Sequence, residues 1–173
     1  MFSIISCINK NFTIGQDGNL VYRISNDLKN FRRMTLNNVV IMGRKTFESL
    51  PNSQPLDSRV NIILTSDLDY SVDSSFSDVY IVHSINEVIE LCEAMFEGKE
   101  WFVIGGASLY NSFIEQNLVD TMYITEVNDD KDGDTHFPQC LDNFYLFYQS
   151  NMQRQRSLIN DEITYKFSIY KKI

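Results

Sequence analysis

Apolar and polar residues alternate along the chain in blocks that predict strands and helices in turn. Apolar runs of five to seven residues, two of them ending in glycine, are typical of strands buried on both faces of a parallel sheet. We predict such strands at 2–8, 38–43, 59–65, 79–83, 101–105 and 121–127. Two alternating segments, 145–149 and 163–170, are typical of an antiparallel hairpin joined by a longer polar loop.

Helical patterns fill the gaps between these strands. The predicted helices are 25–36, 44–50, 84–96 and 106–116. Ser25 is the expected N-cap of the first, and the capping box Ser84-Ile-Asn-Glu87 opens the third. Glycines in the segment 14–20 indicate a mobile loop, and 66–78 and 128–134 are polar loops.

This order of elements predicts one α/β domain spanning residues 1–173. Its central sheet is mostly parallel, with an antiparallel C-terminal edge hairpin and flanking helices. The sequence contains no repeat, no low-complexity segment and no internal domain boundary.

Composition narrows the class of protein. A net charge of −8 argues against a nucleic-acid partner, and no apolar run approaches the length of a membrane helix. The apolar N-terminus lacks a basic leader and a cleavage pattern, so it is not a signal peptide. Three scattered cysteines form neither a metal site nor a disulfide framework. We therefore expect a cytoplasmic protein without a bound metal and, by default, a monomer.

Charge is unevenly distributed along this acidic chain. Residues 1–60 hold eight Lys or Arg against four acids, whereas residues 67–134 hold two against sixteen. Such a basic third indicates a local site for anions, although chance segregation of solvated charges gives the same counts.

Asp27 is an anomaly on the first predicted helix. It shares a helix face with the apolar residues Leu28 and Phe31. An acid in a first turn often only complements the helix dipole. Alternatively, Asp27 lines a pocket and binds a cationic or amidine-like edge of a ligand. The helix alone leaves both interpretations open.

Two strand-to-helix junctions have the character of phosphate-binding loops. These are I-M-G-R-K-T (41–46) and V-I-G-G-A-S-L-Y (103–110). Neither is a G-x-G-x-x-G fingerprint or a Walker loop, and a Gly–Gly pair at a strand end is more often a tight turn. Two such junctions in one small α/β chain favour a dinucleotide at the carboxyl ends of the strands.

Taken together, these segments resemble the dihydrofolate reductase family over nearly the whole chain. The matching pieces include I-G-Q-D-G-N-L, D-L-K-N-F-R-R-M-T, V-I-M-G-R-K-T-F-E-S-L, R-V-N-I-I-L-T-S, V-I-G-G-A-S-L-Y, Y-I-T-E and G-D-T-H-F-P, in the order of the family. The resemblance implies reduction of 7,8-dihydrofolate to tetrahydrofolate by NADPH. It thereby implies a role in one-carbon metabolism and thymidylate synthesis and a target for antifolates.

The resemblance also implies roles for individual residues on the substrate side. The implied catalytic residues are Asp27, Thr125 and Tyr22. Asp27 matches the acid that binds the pterin N3 and 2-amino group, Thr125 joins that network, and Tyr22 lines the same pocket. Arg59 matches the arginine that binds the glutamate tail, oriented by Thr35. The remaining substrate-binding positions are Ile5, Leu28, Phe31, Arg32, Leu50 and Leu56.

For NADPH, the resemblance implies binding at the two junctions and near the glycine loop. The matching positions are Ser6, Ile14, Gly15, Leu20, Gly43, Arg44, Lys45, Thr46, Ser49, Leu64, Thr65, Ser66, Ile104, Gly105, Gly106, Ala107, Ser108, Leu109 and Tyr110. The Gly105–Gly106 peptide is implied to be cis. The loop around Gly133-Asp134 is implied to brace residues 15–20 over the cofactor.

The implied mechanism moves a hydride to pterin C6 while water protonates N5, so Asp27 holds and polarises the pterin. Burial should raise the pKa of Asp27 and the helix N-terminus should lower it, and we expect burial to dominate.

Three features depart from the family pattern. Val21-Tyr22 replaces Pro-Trp, which should loosen the exit of the glycine loop. Ser108 stands where some members have Arg, and the insertion-like segment N-D-D-K-D at 128–132 puts the bracing loop in doubt.

Two other functions compete with this one. The first is the reductase of riboflavin biosynthesis, which the D-L-K-N-F-R-R-M-T context disfavours. The second is a non-catalytic descendant, against which Asp27, Arg44, Arg59 and Thr125 weigh together.

Overall fold

The structure is a computed structural model that describes residues 1–156 and 162–173. Its strands are β1 Phe2–Asn9, β2 Thr13–Gln16, β3 Asn19–Leu20, β4 Val39–Gly43, β5 Val60–Leu64, β6 Val79–Val82, β7 Trp101–Gly105, β8 Val119–Val127, β9 Thr135–His136, β10 Phe144–Gln149, β11 Gln153–Arg156 and β12 Glu162–Lys172. Its helices are α1 Ser25–Thr35, α2 Arg44–Glu48, α3 Ile85–Met95 and α4 Ala107–Glu115. The predicted strands and helices are confirmed within one or two residues at most ends.

The central sheet has the order β10-β12-β8-β1-β7-β4-β5-β6. The strands from β8 to β6 are parallel, β12 runs antiparallel to β8, and β10 runs antiparallel to β12. This confirms a mostly parallel sheet with an antiparallel C-terminal edge. The connection between β10 and β12 is not entirely a loop, because β11 also pairs with β12. Residues 157–161 of that connection lie outside the described residues.

Both faces of the sheet are covered, which explains the continuous apolar runs. Alternate residues of β4 point to opposite faces. Ile41 packs in the large core cluster that includes residues of α3 and α4, whereas Val40 and Met42 pack with Phe47 of α2. Since neither face of β4 meets solvent, neither can carry a polar stripe. No helix within the described ranges is long and apolar enough to cross a membrane.

The N-cap Ser84 of α3 is confirmed, although the Glu87 carboxylate accepts from the His83 N–H at 3.0 Å and not from that of Ser84. The predicted cap of α1 is wrong. The Glu87 N–H donates to Ser84 Oγ at 3.2 Å. By contrast, Ser25 is the first residue of α1, and the N-cap position is Ile24, with no side-chain cap. The Ser25 N–H instead donates to Gln155 Oε1 at 2.8 Å. A strand 130 residues further along the chain therefore supplies the partner that a local cap would provide.

The segment 14–20, predicted as a mobile loop, forms a hairpin. β3, β2 and β9 form a small antiparallel sheet in that order. Asp17 and Gly18 both have positive φ, at 50° and 73°, as the two central residues of a tight hairpin turn require. The D-G dipeptide between Gln16 and Asn19 is the local sequence signal for such a turn.

Candidate active site

The two glycine-containing junctions lie side by side at the carboxyl ends of neighbouring strands. β4 and β7 are paired in parallel, and Met42 is opposite Gly105 after a shift in register. A Cβ atom added to Gly106 would lie 3.4 Å from Thr46 Oγ1, so α2 begins directly beside the second junction. The Gly105–Gly106 peptide is cis, as expected.

Tyr110 connects the second junction to β1. Its buried hydroxyl donates to the Ile5 carbonyl oxygen at 3.0 Å. Gly105 has a φ of +122°, and a Cβ atom there would lie 3.2 Å from Tyr110 Oη. The close approach therefore needs glycine for both space and conformation. Through this contact, the predicted cofactor edge adjoins the predicted substrate wall at Ile5.

Charged groups on the predicted cofactor side lie at the surface. Arg44 Nη1 is 3.3 Å from Glu48 Oε1, one turn along α2, and its guanidinium carbon lies 5.8 Å from the centre of the Tyr70 ring. These contacts orient Arg44 beside the first junction, but Glu48 offsets part of its charge. The solvent-exposed members of the predicted cofactor set are Leu20, Lys45, Ser49, Ser66 and Ser108.

The remaining predicted cofactor residues line the interior of the same edge. Leu109, Tyr110 and Thr65 are buried, and the Thr65 carbonyl oxygen lies 2.9 Å from His83 Nδ1. The half-buried members are Ser6, Ile14, Gly15, Gly43, Arg44, Thr46, Leu64, Ile104, Gly106 and Ala107. The predicted set thus combines a buried wall with an exposed cationic rim.

Asp27 and Thr125 meet across the gap between α1 and β8. The Thr125 hydroxyl, which is buried, donates to Asp27 Oδ1 at 2.5 Å. Burial raises the pKa of the Asp27 carboxyl, and the hydrogen bond from Thr125 opposes that rise. The expectation that burial dominates is confirmed. Within the described part of the chain, no Lys, Arg or His forms an ion pair with Asp27.

Arg59 is the second charged group that is withdrawn from solvent. It is 7% exposed, and its Nη1 donates to Thr35 Oγ1 at 3.1 Å while its Nε donates to the Asp57 carbonyl oxygen at 3.0 Å. The guanidinium carbon lies 5.8 Å from the centre of the Phe31 ring. Burial and the nearby Arg32 lower the pKa of Arg59. Among residues 1–156 and 162–173, no carboxylate lies within salt-bridge distance of it.

The other predicted substrate residues differ in exposure. Ile5 is buried, Phe31, Leu50 and Leu56 are half-buried, and Leu28 is 43% exposed. Arg32 is exposed and lies 3.8 Å from Asp57 Oδ2, a contact worth little in solvent.

Tyr22 does not direct its hydroxyl towards Asp27. The ring is buried with Ile24, Val127 and Tyr165. The hydroxyl donates to Asp129 Oδ2 at 2.6 Å and accepts from Asn9 Nδ2 at 2.9 Å. Its predicted catalytic role therefore stays a prediction. Sequence reasoning missed Asn9 and Asp129, and the only available signal was the unusual run of acids after β8.

The bracing contact between the 128–134 loop and the β2–β3 hairpin is confirmed. The Asp134 N–H donates to the Gly15 carbonyl oxygen at 3.2 Å, and the Asp17 N–H donates to Asp134 Oδ2 at 2.7 Å. A Cβ atom added to Gly133 would clash with that Gly15 oxygen and lie 2.6 Å from Thr13 Cγ2. The insertion-like segment 128–132 thus leaves the brace intact.

Comparisons with known proteins agree with this geometry. A family model described as dihydrofolate reductase matches residues 1–172. The dihydrofolate reductase of Bacillus subtilis (strain 168) is 34% identical over 172 residues, which are 99% of this chain and 95% of the relative. That of Staphylococcus haemolyticus is 32% identical over 171 residues, with 99% and 95% covered.

A solved structure gives the same result. Dihydrofolate reductase from Enterococcus faecalis, complexed with NADP(H) and RAB-propyl, matches with a TM-score of 0.82 and 26% identity, over 99% of this chain and 96% of that one. The chain belongs to the dihydrofolate reductase family.

Proposed function

We propose that Asp27 binds the pterin of dihydrofolate and Arg59 binds its glutamate tail. As a member of its family, the chain reduces 7,8-dihydrofolate to 5,6,7,8-tetrahydrofolate with NADPH. One observation carries the residue assignment. A half-buried acid with a raised pKa and a buried guanidinium, neither in an ion pair among the described residues, lie near opposite ends of α1.

The two charges have the spacing of an elongated ligand. Asp27 is in the first turn of α1, and Arg59 contacts Thr35, the last residue of that helix. Eight residues of helix correspond to about 12 Å along the axis. A ligand with an amidine-like edge at one end and a carboxylate at the other neutralises both groups, as buried charges require.

Asp27 has the atoms that a pterin edge needs. Thr125 donates to Oδ1, which leaves Oδ2 and a further lone pair on Oδ1 as acceptors. Two parallel N–H donors, such as the pterin N3 and 2-amino groups, suit such a carboxylate. The Thr125 bond fixes the orientation of the carboxylate before the ligand arrives, so little ordering remains for binding.

Arg59 is similarly fixed before binding. Its bonds to Thr35 and to the Asp57 carbonyl oxygen hold the guanidinium plane beside the Phe31 ring. The Thr35 hydroxyl in turn donates to the Phe31 carbonyl oxygen at 2.8 Å. A carboxylate at this point gains charge-assisted hydrogen bonds in a site with little water.

The cofactor side fits NADPH by its chemistry. Arg44, Lys45 and Thr46 offer cations and a hydroxyl for phosphate oxygens, and glycines at both junctions allow close approach of the backbone. When bound, NADPH supplies the hydride. Tyr22 directs its proton to Asp129, so we assign the proton at N5 to water and the binding and polarisation of the pterin to Asp27.

We also propose a cytoplasmic monomer of one domain without a nucleic-acid partner. The net charge of −8 and the free thiols of Cys7, Cys92 and Cys140 support this proposal. A molar mass of one chain by light scattering is expected. A mass of two chains would overturn the monomer and point to β10, whose Tyr145–Tyr148 side chains are exposed.

Mixing the protein with dihydrofolate and NADPH tests the proposed function. The near-ultraviolet absorbance of NADPH should fall only when both ligands are present, with tetrahydrofolate as product. Oxidation of NADPH with a riboflavin precursor but not with dihydrofolate would favour the reductase of riboflavin biosynthesis. Binding of both ligands without turnover would favour a non-catalytic descendant.

A further inference from the structure

Tyr22 stands where the β2–β3 hairpin leads into α1, and its hydroxyl is held from two sides. It accepts from Asn9 Nδ2 at 2.9 Å and donates to Asp129 Oδ2 at 2.6 Å. The ring is 7% exposed, so the hydroxyl has little access to bulk water. Its two partners come from the end of β1 and from the loop that follows β8.

Asn9 fixes the direction of the Tyr22 proton. Its Nδ2 also donates to the Lys131 carbonyl oxygen at 2.6 Å, and its Oδ1 accepts from the N–H groups of Asn11 at 3.0 Å and Thr13 at 2.9 Å. An amide has two donors and two acceptor positions, so all four are used and the amide cannot turn over. Because Nδ2 faces the Tyr22 oxygen, the Tyr22 proton must go to Asp129.

Asp129 is itself anchored. Its N–H donates to the Val127 carbonyl oxygen at 2.9 Å, and its carbonyl oxygen accepts from the Lys10 N–H at 3.0 Å. The 128–134 loop therefore forms hydrogen bonds with the segment 13–22 at two points. At the C-terminal end of the loop, Asp134 bonds Gly15 and Asp17, and at the N-terminal end, Asp129 bonds Tyr22.

We propose that Asp129 is a positioning residue for hydride transfer, acting through the Tyr22 hydroxyl. The bond fixes the exit of the β2–β3 hairpin as Asp134 fixes its turn, so the hairpin keeps one arrangement beside the reacting pair. This inference rests on the proposed function, because it assigns Asp129 to the same reaction. It distinguishes Asp129, one of four acids between β8 and β9, from its neighbours in that loop.

The variants Asp129→Ala, Tyr22→Phe and their combination test the proposal. At saturating dihydrofolate and NADPH, each single change should slow single-turnover hydride transfer about five- to twentyfold, and the double variant should be no slower than either, since both remove one bond. Deuterated NADPH shows that the hydride step is observed. Asp129→Asn, which keeps an acceptor, should recover part of the rate, and KM for dihydrofolate should change less than twofold.

Asp130→Ala is the matched control. It removes an adjacent acid whose described hydrogen bond uses only the backbone carbonyl, from Asn11 Nδ2 at 2.7 Å, so its rate should stay within twofold of wild type. Losses that multiply in the double variant would overturn the proposal. So would an unchanged hydride rate with only a lowered urea midpoint, which would make the bond merely structural. A wild type that never turns over dihydrofolate would instead refute the proposed function.

Discussion

The substrate and cofactor sides of the site use opposite strategies. On the substrate side, Arg59 is buried and Asp27 is half-buried with a pKa raised by burial, and Thr35 and Thr125 hold them before any ligand binds. On the cofactor side, Arg44 and its partner Glu48 are 38% and 43% exposed. The charged groups for the substrate thus lie where they are poorly solvated, whereas those for the cofactor lie near the surface.

The difference predicts how each side responds to change. A charge in a partly buried site interacts strongly and is only weakly screened, whereas an exposed charge interacts weakly and loses its effect in salt. Substitutions on the substrate side should therefore be large in effect and insensitive to salt. Those on the cofactor side should be moderate and salt-dependent.

The largest expected effect is that of Asp27→Asn. The variant should fold and bind NADPH, but its turnover at pH 7 should fall at least about 100-fold, or roughly 2.7 kcal/mol in the barrier. Partial recovery in acid is expected because the substrate then arrives already protonated. Steady-state kinetics from pH 5 to pH 8 measure both. A variant within about threefold of wild type at pH 7, roughly 0.7 kcal/mol, would remove Asp27 from the reaction.

The second-largest effect is expected for Arg59→Leu. It should weaken dihydrofolate binding by about 2–4 kcal/mol, since the tail loses charge-assisted bonds in a buried place. NADPH affinity and the effect of added salt should barely change. Arg33→Leu is the matched control, because Arg33 is exposed and bonds only Asn30, at 2.9 Å, among the described contacts. An equal loss of dihydrofolate affinity in Arg33→Leu would show that the loss follows from removing any nearby cation and is not specific to Arg59.

A smaller effect is expected for Arg44→Ala. We predict a wild-type preference for NADPH over NADH of about 2–4 kcal/mol, and the variant should reduce it by weakening NADPH alone. The reduction should shrink at high ionic strength. Glu48→Gln should have the opposite sign, since it frees Arg44 from its neighbour at 3.3 Å. Dissociation constants for both cofactors at two ionic strengths measure this. A full NADPH preference in Arg44→Ala would place the 2′-phosphate elsewhere.

The smallest effect concerns stability. Because the pKa of Asp27 is raised in the folded protein, the folded state binds this proton more tightly than the unfolded state does. Stability therefore falls as pH rises from the unfolded value through the folded one. At pH 7, Asp27→Asn should raise the free energy of unfolding, measured with urea, by no more than about 1 kcal/mol, since the carboxyl is only half-buried. The gain should vanish near pH 3. A loss of stability at pH 7 would contradict a raised pKa.

Much of this fold follows from local sequence patterns. Continuous apolar runs predicted the parallel strands, because both faces of β4 and β5 are covered. Ser84 and Glu87 predicted the start of α3, since both partners lie within one turn. Of the site, the raised pKa of Asp27 and the brace at Gly133 followed from the resemblance and were confirmed.

The features that the sequence did not predict correctly depend mostly on contacts between residues far apart in the sequence. Ser25 looks like a cap, but its N–H is satisfied by Gln155, which only the fold brings near. The bond between Tyr22 and Asp129 joins residues 107 positions apart, so neither residue signals it locally. The Asp17–Gly18 turn, by contrast, has a local sequence signal in its D-G dipeptide, so the prediction of a loop there was wrong for a local reason.

The most direct test of the central claim crosses two variants with two substrates. The kcat/KM values of wild type, Asp27→Asn and Arg59→Leu would be measured with dihydrofolate and with a dihydropterin that lacks the glutamate tail. Asp27→Asn should lower both values by the same factor. Arg59→Leu should lower the value for dihydrofolate about 30- to 1000-fold and leave the tail-less substrate unchanged. Equal losses for both substrates in Arg59→Leu would contradict the account of one charge at each end of the ligand.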